Sequence, residues 1–157
     1  MNIREATLQD KEIILDFVTK LSVYEKKPLA DVGMTLEKIE RHGFGPRPYF
    51  YTLLAEQDRQ PAGFALYYFA YSGWAGGPVL YLEDLFVEEE FRSQGFGNAL
   101  LKELAKIAVK HECCRMEWCV YTWNDKAIEF YKSLGATIKT DLWQCRLTGE
   151  NLIKLSK

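Results

Sequence analysis

The segment from Val79 to Leu101 constrains the fold more than any other part of the chain. It reads VLYLEDLFV, then EEEF, then RSQGFG, then NALLKEL. A largely apolar run interrupted by two acids, Glu83 and Asp84, predicts a central strand over Val79–Val87. Leu100, Leu101, Leu104, Ala105, Ala108 and Val109 recur at helical spacing, so a helix is expected from just after Gly95 to about His111. Backbone N–H groups at a strand–turn–helix junction of this kind form a site for a phosphate or pyrophosphate. Glycines there let the backbone approach the anion, because no Cβ intervenes. The two carboxylates just upstream imply a chemical partner close to that ligand.

The flanking sequence supplies the other elements. Asn2–Ala6 reads as a first strand. Thr7 caps a helix, with Asp10 at the capping-box position and Ile13, Ile14, Phe17, Val18 and Leu21 on one face. A second helix is expected from Thr35 to Gly43. Tyr49–Glu56 and Ala62–Tyr71 form a hairpin across the Asp58–Pro61 turn. Arg115–Tyr121 is a further strand, Asn124 caps a helix that stops at Gly135, and Trp143–Leu147 closes the sheet before a short tail at Leu152–Leu155. The order β-α-α-β-β-β-α-β-α-β predicts a mixed sheet with helices on both faces. No repeat, linker or low-complexity run interrupts it, so residues 1–157 are expected to be a single domain.

Composition narrows the function. The chain has 157 residues, of which 48% are hydrophobic, with nine Tyr, nine Phe and four Trp. That suffices for a core. A net charge of −2 argues against a nucleic-acid partner held by a broad basic face. No apolar run is long enough to cross a membrane, and the opening MNIREAT lacks an apolar leader, so a cytoplasmic protein is expected. Cys113, Cys114, Cys119 and Cys145 follow no zinc spacing, and His42 and His111 are the only histidines. The cysteines are read as reduced and mostly buried, and no metal is expected.

The glycine turn Arg92-Ser93-Gln94-Gly95-Phe96-Gly97 can be compared with three pyrophosphate-binding patterns. A P-loop would end in Gly-Lys-Ser/Thr, which is absent. A dinucleotide fold would place a third glycine where Leu100 stands, and would open the chain rather than follow several strands. The third pattern is a coenzyme A site. Here the sequence resembles the Gcn5-related N-acetyltransferase (GNAT) superfamily, whose signature is Q/R-x-x-G-x-G/A. It is most similar to the spermidine/spermine (diamine) and thialysine N-acetyltransferase branch. The supporting segments are Tyr24-Glu25, Gly43-Phe44-Gly45, Tyr67-Tyr68-Phe69, Tyr81-Leu82-Glu83-Asp84, Trp123-Asn124 and Phe130-Tyr131-Lys132.

The resemblance implies an α/β (α+β) fold with a mostly antiparallel sheet of about six to seven strands and a splayed, bulged strand 4. It implies acetyl-CoA as donor, a small cationic amine (polyamine, diamine or thialysine/lysine-like amino acid) as acceptor, and a homodimer. Carried over by residue, the backbone of Leu85, Phe86 and Val87 would hold the pantetheine arm and thioester. Arg92 and the amides of Ser93, Gln94, Gly95, Phe96, Gly97 and Asn98 would hold the pyrophosphate. Asn124 and Ala127 would lie along the donor, with Tyr131 and Lys132 beside its sulfur. Tyr24, Glu25, Trp74, Glu83, Asp84, Glu117, Trp118, Cys119 and Asp141 match positions near the acceptor.

The chemistry assigns roles within that set. An alkyl amine with a pKa of about 10 must lose a proton before it can attack a thioester. Glu83 is the expected base, on the argument that burial in an apolar strand raises its pKa. Tyr131 is the expected acid for the departing thiolate, and the Leu85 N–H the expected oxyanion donor. Asp84 points away from Glu83 in a regular strand but joins it if the strand bulges. Two features depart from the polyamine enzymes. Tyr71-Ser72-Gly73-Trp74 lacks the acid before the tryptophan and is closer to the thialysine type. The Gly76-Gly77-Pro78 loop is also longer by a residue. A protein N-acetyltransferase and a non-catalytic CoA-binding module are the alternatives. The aromatic Gly43–Tyr51 segment and the Tyr71–Pro78 loop, read as walls of a closed pocket, argue against the first. The presence of both Glu83 and Tyr131 argues against the second.

Overall fold

β1 (Asn2–Glu5) pairs antiparallel with β2 (Tyr51–Gln57), with Ile3 opposite Ala55. Between them the chain makes a 3-10 turn at Leu8–Asp10, then α1 (Lys11–Tyr24) and α2 (Leu36–Gly43). The computed structural model describes all 157 residues. Asp58 and Arg59 both have positive φ and close β2 onto β3 (Gln60–Ser72) in a two-residue turn, the twist that hairpins favour. β4 (Gly77–Val87) follows antiparallel, and α3 (Phe96–Lys110) returns the chain to β5 (Arg115–Glu117), which runs parallel to β4. The sheet order is β1-β2-β3-β4-β5.

Strand alternation sorts the core. Leu54, Phe64, Leu66 and Phe86 face Ile14, Phe17 and Leu21 of α1 and Ile39 of α2. Phe17 stacks on Phe64 with ring centroids 5.4 Å apart. The opposite face takes α3, which buries Phe96, Leu100, Leu101, Leu104 and Ala108. One polar network ties the start of the chain to the sheet. Arg4 makes two hydrogen bonds of 2.8 Å to the Asp10 carboxylate and one of 2.8 Å to Glu56. Asp10 also accepts from the Thr7 N–H at 2.7 Å. The guanidinium and the Thr7 donors together hold the Asp10 carboxyl down to about 2.

By backbone contacts the chain falls into two units, Met1–Cys119 and Val120–Lys157. The second holds α4 (Asp125–Ser133) and α5 (Gly149–Leu155). Asn124 caps α4 by accepting from the Ala127 N–H at 3.3 Å, and Gly135 ends it with φ +86°.

Several expectations need correction. The sheet has five strands rather than six or seven. Trp143–Leu147 is not a strand, and all five residues are exposed. Their period-2 pattern has no paired neighbour on which to bury one face, and alternation without a ladder does not make a strand. β5 stops at Glu117 instead of Tyr121. The tail forms α5. The cysteines are all free, but Cys114, Cys119 and Cys145 are exposed rather than buried.

Candidate active site

The site starts from a register fault in β4. Leu66 pairs with Asp84 and the next residue, Tyr67, pairs with Leu82, so Glu83 has no partner across the ladder. A bulge of this kind cancels one step of the pleat. Glu83 and Asp84 therefore share the α1 side of the sheet with Tyr81 and its cross-strand partner Tyr68, whose rings stack 5.1 Å apart. Burial is the main cause that raises the phenol pKa of both tyrosines; the negative potential of Glu83 comes next for Tyr68, and for Tyr81 it follows Cys119. Tyr81 is also bonded to Cys119 at 3.2 Å.

The two acids differ in surroundings. Glu83 is exposed and Asp84 is the half-buried one. Burial, reinforced by Glu83 and Glu25 and opposed by Lys27, pushes the Asp84 carboxyl up to about 7. The burial expected of Glu83 thus falls on Asp84. The cause is the bulge, which turns Glu83 out of the pleat. Sequence alternation has no means of locating a bulge to the residue.

β4 also splays. Its pairing with β5 covers only Val79–Tyr81, so the edge from Leu82 to Val87 on that side has no strand partner. Glycine in the left-handed region at Gly95, with φ +88°, starts α3 immediately beyond. No side chain caps that helix, so its first N–H groups, at Phe96, Gly97 and Asn98, have no acceptor within the helix. Ser93 also has positive φ, and Arg92 to Gly95 are exposed. An open strand edge running into an uncapped helix N-terminus suits an extended amide-bearing arm that ends in a pyrophosphate. The residues present therefore fit the donor the resemblance implies.

The other expected residues are placed as follows. Arg92 lies over the Tyr24 ring at 5.0 Å, with Glu25 next to Tyr24 at the α1 C-terminus. Glu117 pairs with Arg115 at 2.7 Å, so its charge is engaged within β5. Trp118 is half-buried and Cys119 exposed. Trp74, at the tip of the β3–β4 connection, is 97% exposed, so this loop does not wall a closed pocket within its own chain. In the second unit Tyr131 is buried, with its ring 5.4 Å from Phe130. Lys132 and Asp141 are exposed and Ala127 is half-buried. Sequence reasoning gave no site role to Tyr68 and Tyr81, which entered only as part of the family resemblance, and missed Lys27. The register that brings Tyr68 onto Tyr81 depends on the bulge, while Lys27, two residues from Glu25, could have been found as its countercharge. Lys27 bonds Glu25 at 2.5 Å.

Comparison with known proteins identifies the family and the fold. The model of the acetyltransferase (GNAT) family matches residues 15–136. A thialysine N-epsilon-acetyltransferase of Bos taurus is 37% identical over 166 residues, covering 98% of this chain and 96% of that protein. A spermidine/spermine N(1)-acetyltransferase-like protein 1 of Homo sapiens is 38% identical over 141 residues, covering 85% of this chain and 20% of the longer human protein. An integron cassette protein from V. cholerae has the same fold, with a TM-score of 0.80 at 25% identity over 99% of this chain and 97% of its own.

Proposed function

The chain belongs to the GNAT acetyltransferase family, in the branch of thialysine and spermidine/spermine acetyltransferases, and is an N-acetyltransferase; from that premise we propose that it acetylates a primary amine of a small cationic acceptor. The acceptor class is a diamine, a polyamine or a thialysine- or lysine-like amino acid. The donor, acetyl-CoA, supplies the acyl group as a thioester: the C–S bond breaks, a C–N bond forms, and of the two protons the ammonium gives up, one leaves through the base to solvent and one ends on the CoA sulfur.

Each part of the chain has a share in this reading. Glu83, exposed at the bulge, takes the ammonium proton directly or through a water. Asp84 attracts the cation, Glu25 adds to the negative field around it while paired with Lys27, and Tyr68 and Tyr81 offer ring faces to its methylenes and charge. Asp84 is half ionised near neutral pH, and an arriving ammonium would favour its charged form. Arg92 and the α3 N-terminus hold the pyrophosphate, and the open β4 edge from Leu85 to Val87 holds the pantetheine amides. On the family resemblance alone, Asn124, Ala127, Tyr131 and Lys132 are assigned to the donor, with the Tyr131 phenol protonating the leaving sulfur. The observation that carries the proposal is the bulge, because it gathers two carboxylates and two tyrosines on one side of the sheet beside the open edge.

The protein is proposed to work as one domain, since the family match spans the boundary between the two units. Exposed Trp74, Leu142 and Trp143 support a homodimer, in which a second copy covers apolar surface. Three exposed thiols suit the reducing cytoplasm. No nucleic acid or membrane partner is invoked.

The test is thiol release from acetyl-CoA with spermidine, spermine, putrescine, thialysine, lysine, ornithine and a lysine peptide. Saturable turnover of one or more small amines, well above the peptide, is expected. Preference for the peptide would move the reading to a protein acetyltransferase.

A further inference from the structure

Arg92 belongs to the donor turn, yet part of its support comes from α1. Its guanidinium carbon lies 5.0 Å from the Tyr24 ring centroid and 5.7 Å from that of Phe86, and its Nε–H donates to the Val87 carbonyl at 3.0 Å. Phe86 is buried and packs against Phe17, with centroids 5.9 Å apart, so that ring is fixed by the core. Tyr24 is 39% exposed and forms the outer ring of the pair. An arginine on an exposed turn otherwise samples many rotamers, and ordering it opposes anion binding. Here one N–H is spent on Val87, and the two rings restrict the side chain. The terminal fork of the guanidinium, which suits a bidentate phosphate, keeps its donors for a ligand.

We propose that Tyr24 is a positioning residue for the donor: its ring preorganises Arg92 for the pyrophosphate. This rests on the reading of Arg92 as a pyrophosphate ligand. It moves Tyr24 from the acceptor to the donor. Its neighbour Glu25, which acts on Asp84, stays with the acceptor.

The experiment is calorimetric titration of the intact protein with CoA, comparing wild type with Tyr24→Leu, Tyr24→Phe, Arg92→Ala and the Tyr24→Leu/Arg92→Ala double variant. Tyr24 lies partly outside the core, so both of its replacements should fold, and circular dichroism checks this. Loss of a partly desolvated cation–π contact should weaken CoA binding roughly three- to tenfold in Tyr24→Leu. Tyr24→Phe keeps a ring and should bind as wild type. In the Arg92→Ala background Tyr24→Leu should cost nothing further, because its effect passes through the arginine. An equal loss in both backgrounds, no loss in the wild-type background, or no rescue by Phe would overturn the proposal. If Arg92→Ala binds CoA as wild type, the pyrophosphate reading of Arg92 fails instead, and the role of Tyr24 with it.

Discussion

Replacing Asp84 with Asn should make the protein more stable and a poorer enzyme, and the stabilisation should depend on pH. The carboxyl is raised from 3.8 to about 7, first by burial and then by Glu83 and Glu25. A folded-state pKa above the unfolded value means that the unfolded chain releases this proton first as pH rises. Ionisation therefore drains stability between about pH 4 and pH 7, by about 1.4 kcal/mol per pH unit, and no further above that. The full interval has a ceiling of about 4 kcal/mol at pH 8. An amide in the same place removes this cost but brings a partly buried group of its own, worth about 1–3 kcal/mol if unpartnered. A net gain of about 1–2 kcal/mol at pH 8 should remain, or roughly 2–8 °C in Tm for a domain of this size. Thermal melts of wild type and Asp84→Asn at pH 5 and pH 8 give the comparison. The gain should be larger at pH 8 by several degrees, while KM for the amine rises. A stabilisation equal at the two pH values, or a loss at pH 8, would refute the reasoning.

Three further outcomes follow from the same structure. Asp10 is the opposite case: Arg4 lowers its carboxyl to about 2, so its stabilisation is complete above about pH 4 and fades as pH falls toward 2. Asp10→Ala should cost about 2–3 kcal/mol at pH 7, read as a shift in urea midpoint that shrinks in acid; equal shifts at pH 7 and pH 3 would contradict it. Gly95→Ala places a side chain at φ +88°, a cost of about 1–2 kcal/mol, and should lower Tm and weaken CoA binding in titration. Tyr131→Phe should lower kcat about 10²-fold with little change in KM if the phenol protonates the leaving thiolate, and an unchanged kcat in steady-state kinetics would remove that role.

The fold was legible where local chemistry decides it. Apolar periodicity placed α1 and α3, the expected span from Thr35 to Gly43 matches α2, the cap at Asn124 placed the start of α4, and Gly135 marked its end. The strand–turn–helix from Val79 onward was readable because glycine, arginine and two acids each have few structural uses in that order. Trp143–Leu147 failed for the reverse reason: its alternation is local, but a strand is a pairing, and no partner is encoded nearby. Glu83 and Asp84 were found as a pair, but their environments were exchanged. Which of two adjacent acids is buried depends on one skipped residue in the β3–β4 ladder, a long-range register. The Tyr24–Arg92 contact joins residues far apart in sequence through α1 packing, and no motif announces it.

The pH dependence of kcat/KM for the preferred amine, in wild type and Glu83→Gln, tests the central claim most directly. If Glu83 receives the ammonium proton, Glu83→Gln should fall by about 10²-fold or more near pH 7 and recover toward wild type as pH approaches the pKa of the amine, about 10. A variant with an unshifted profile and near-normal turnover at pH 7 would contradict it.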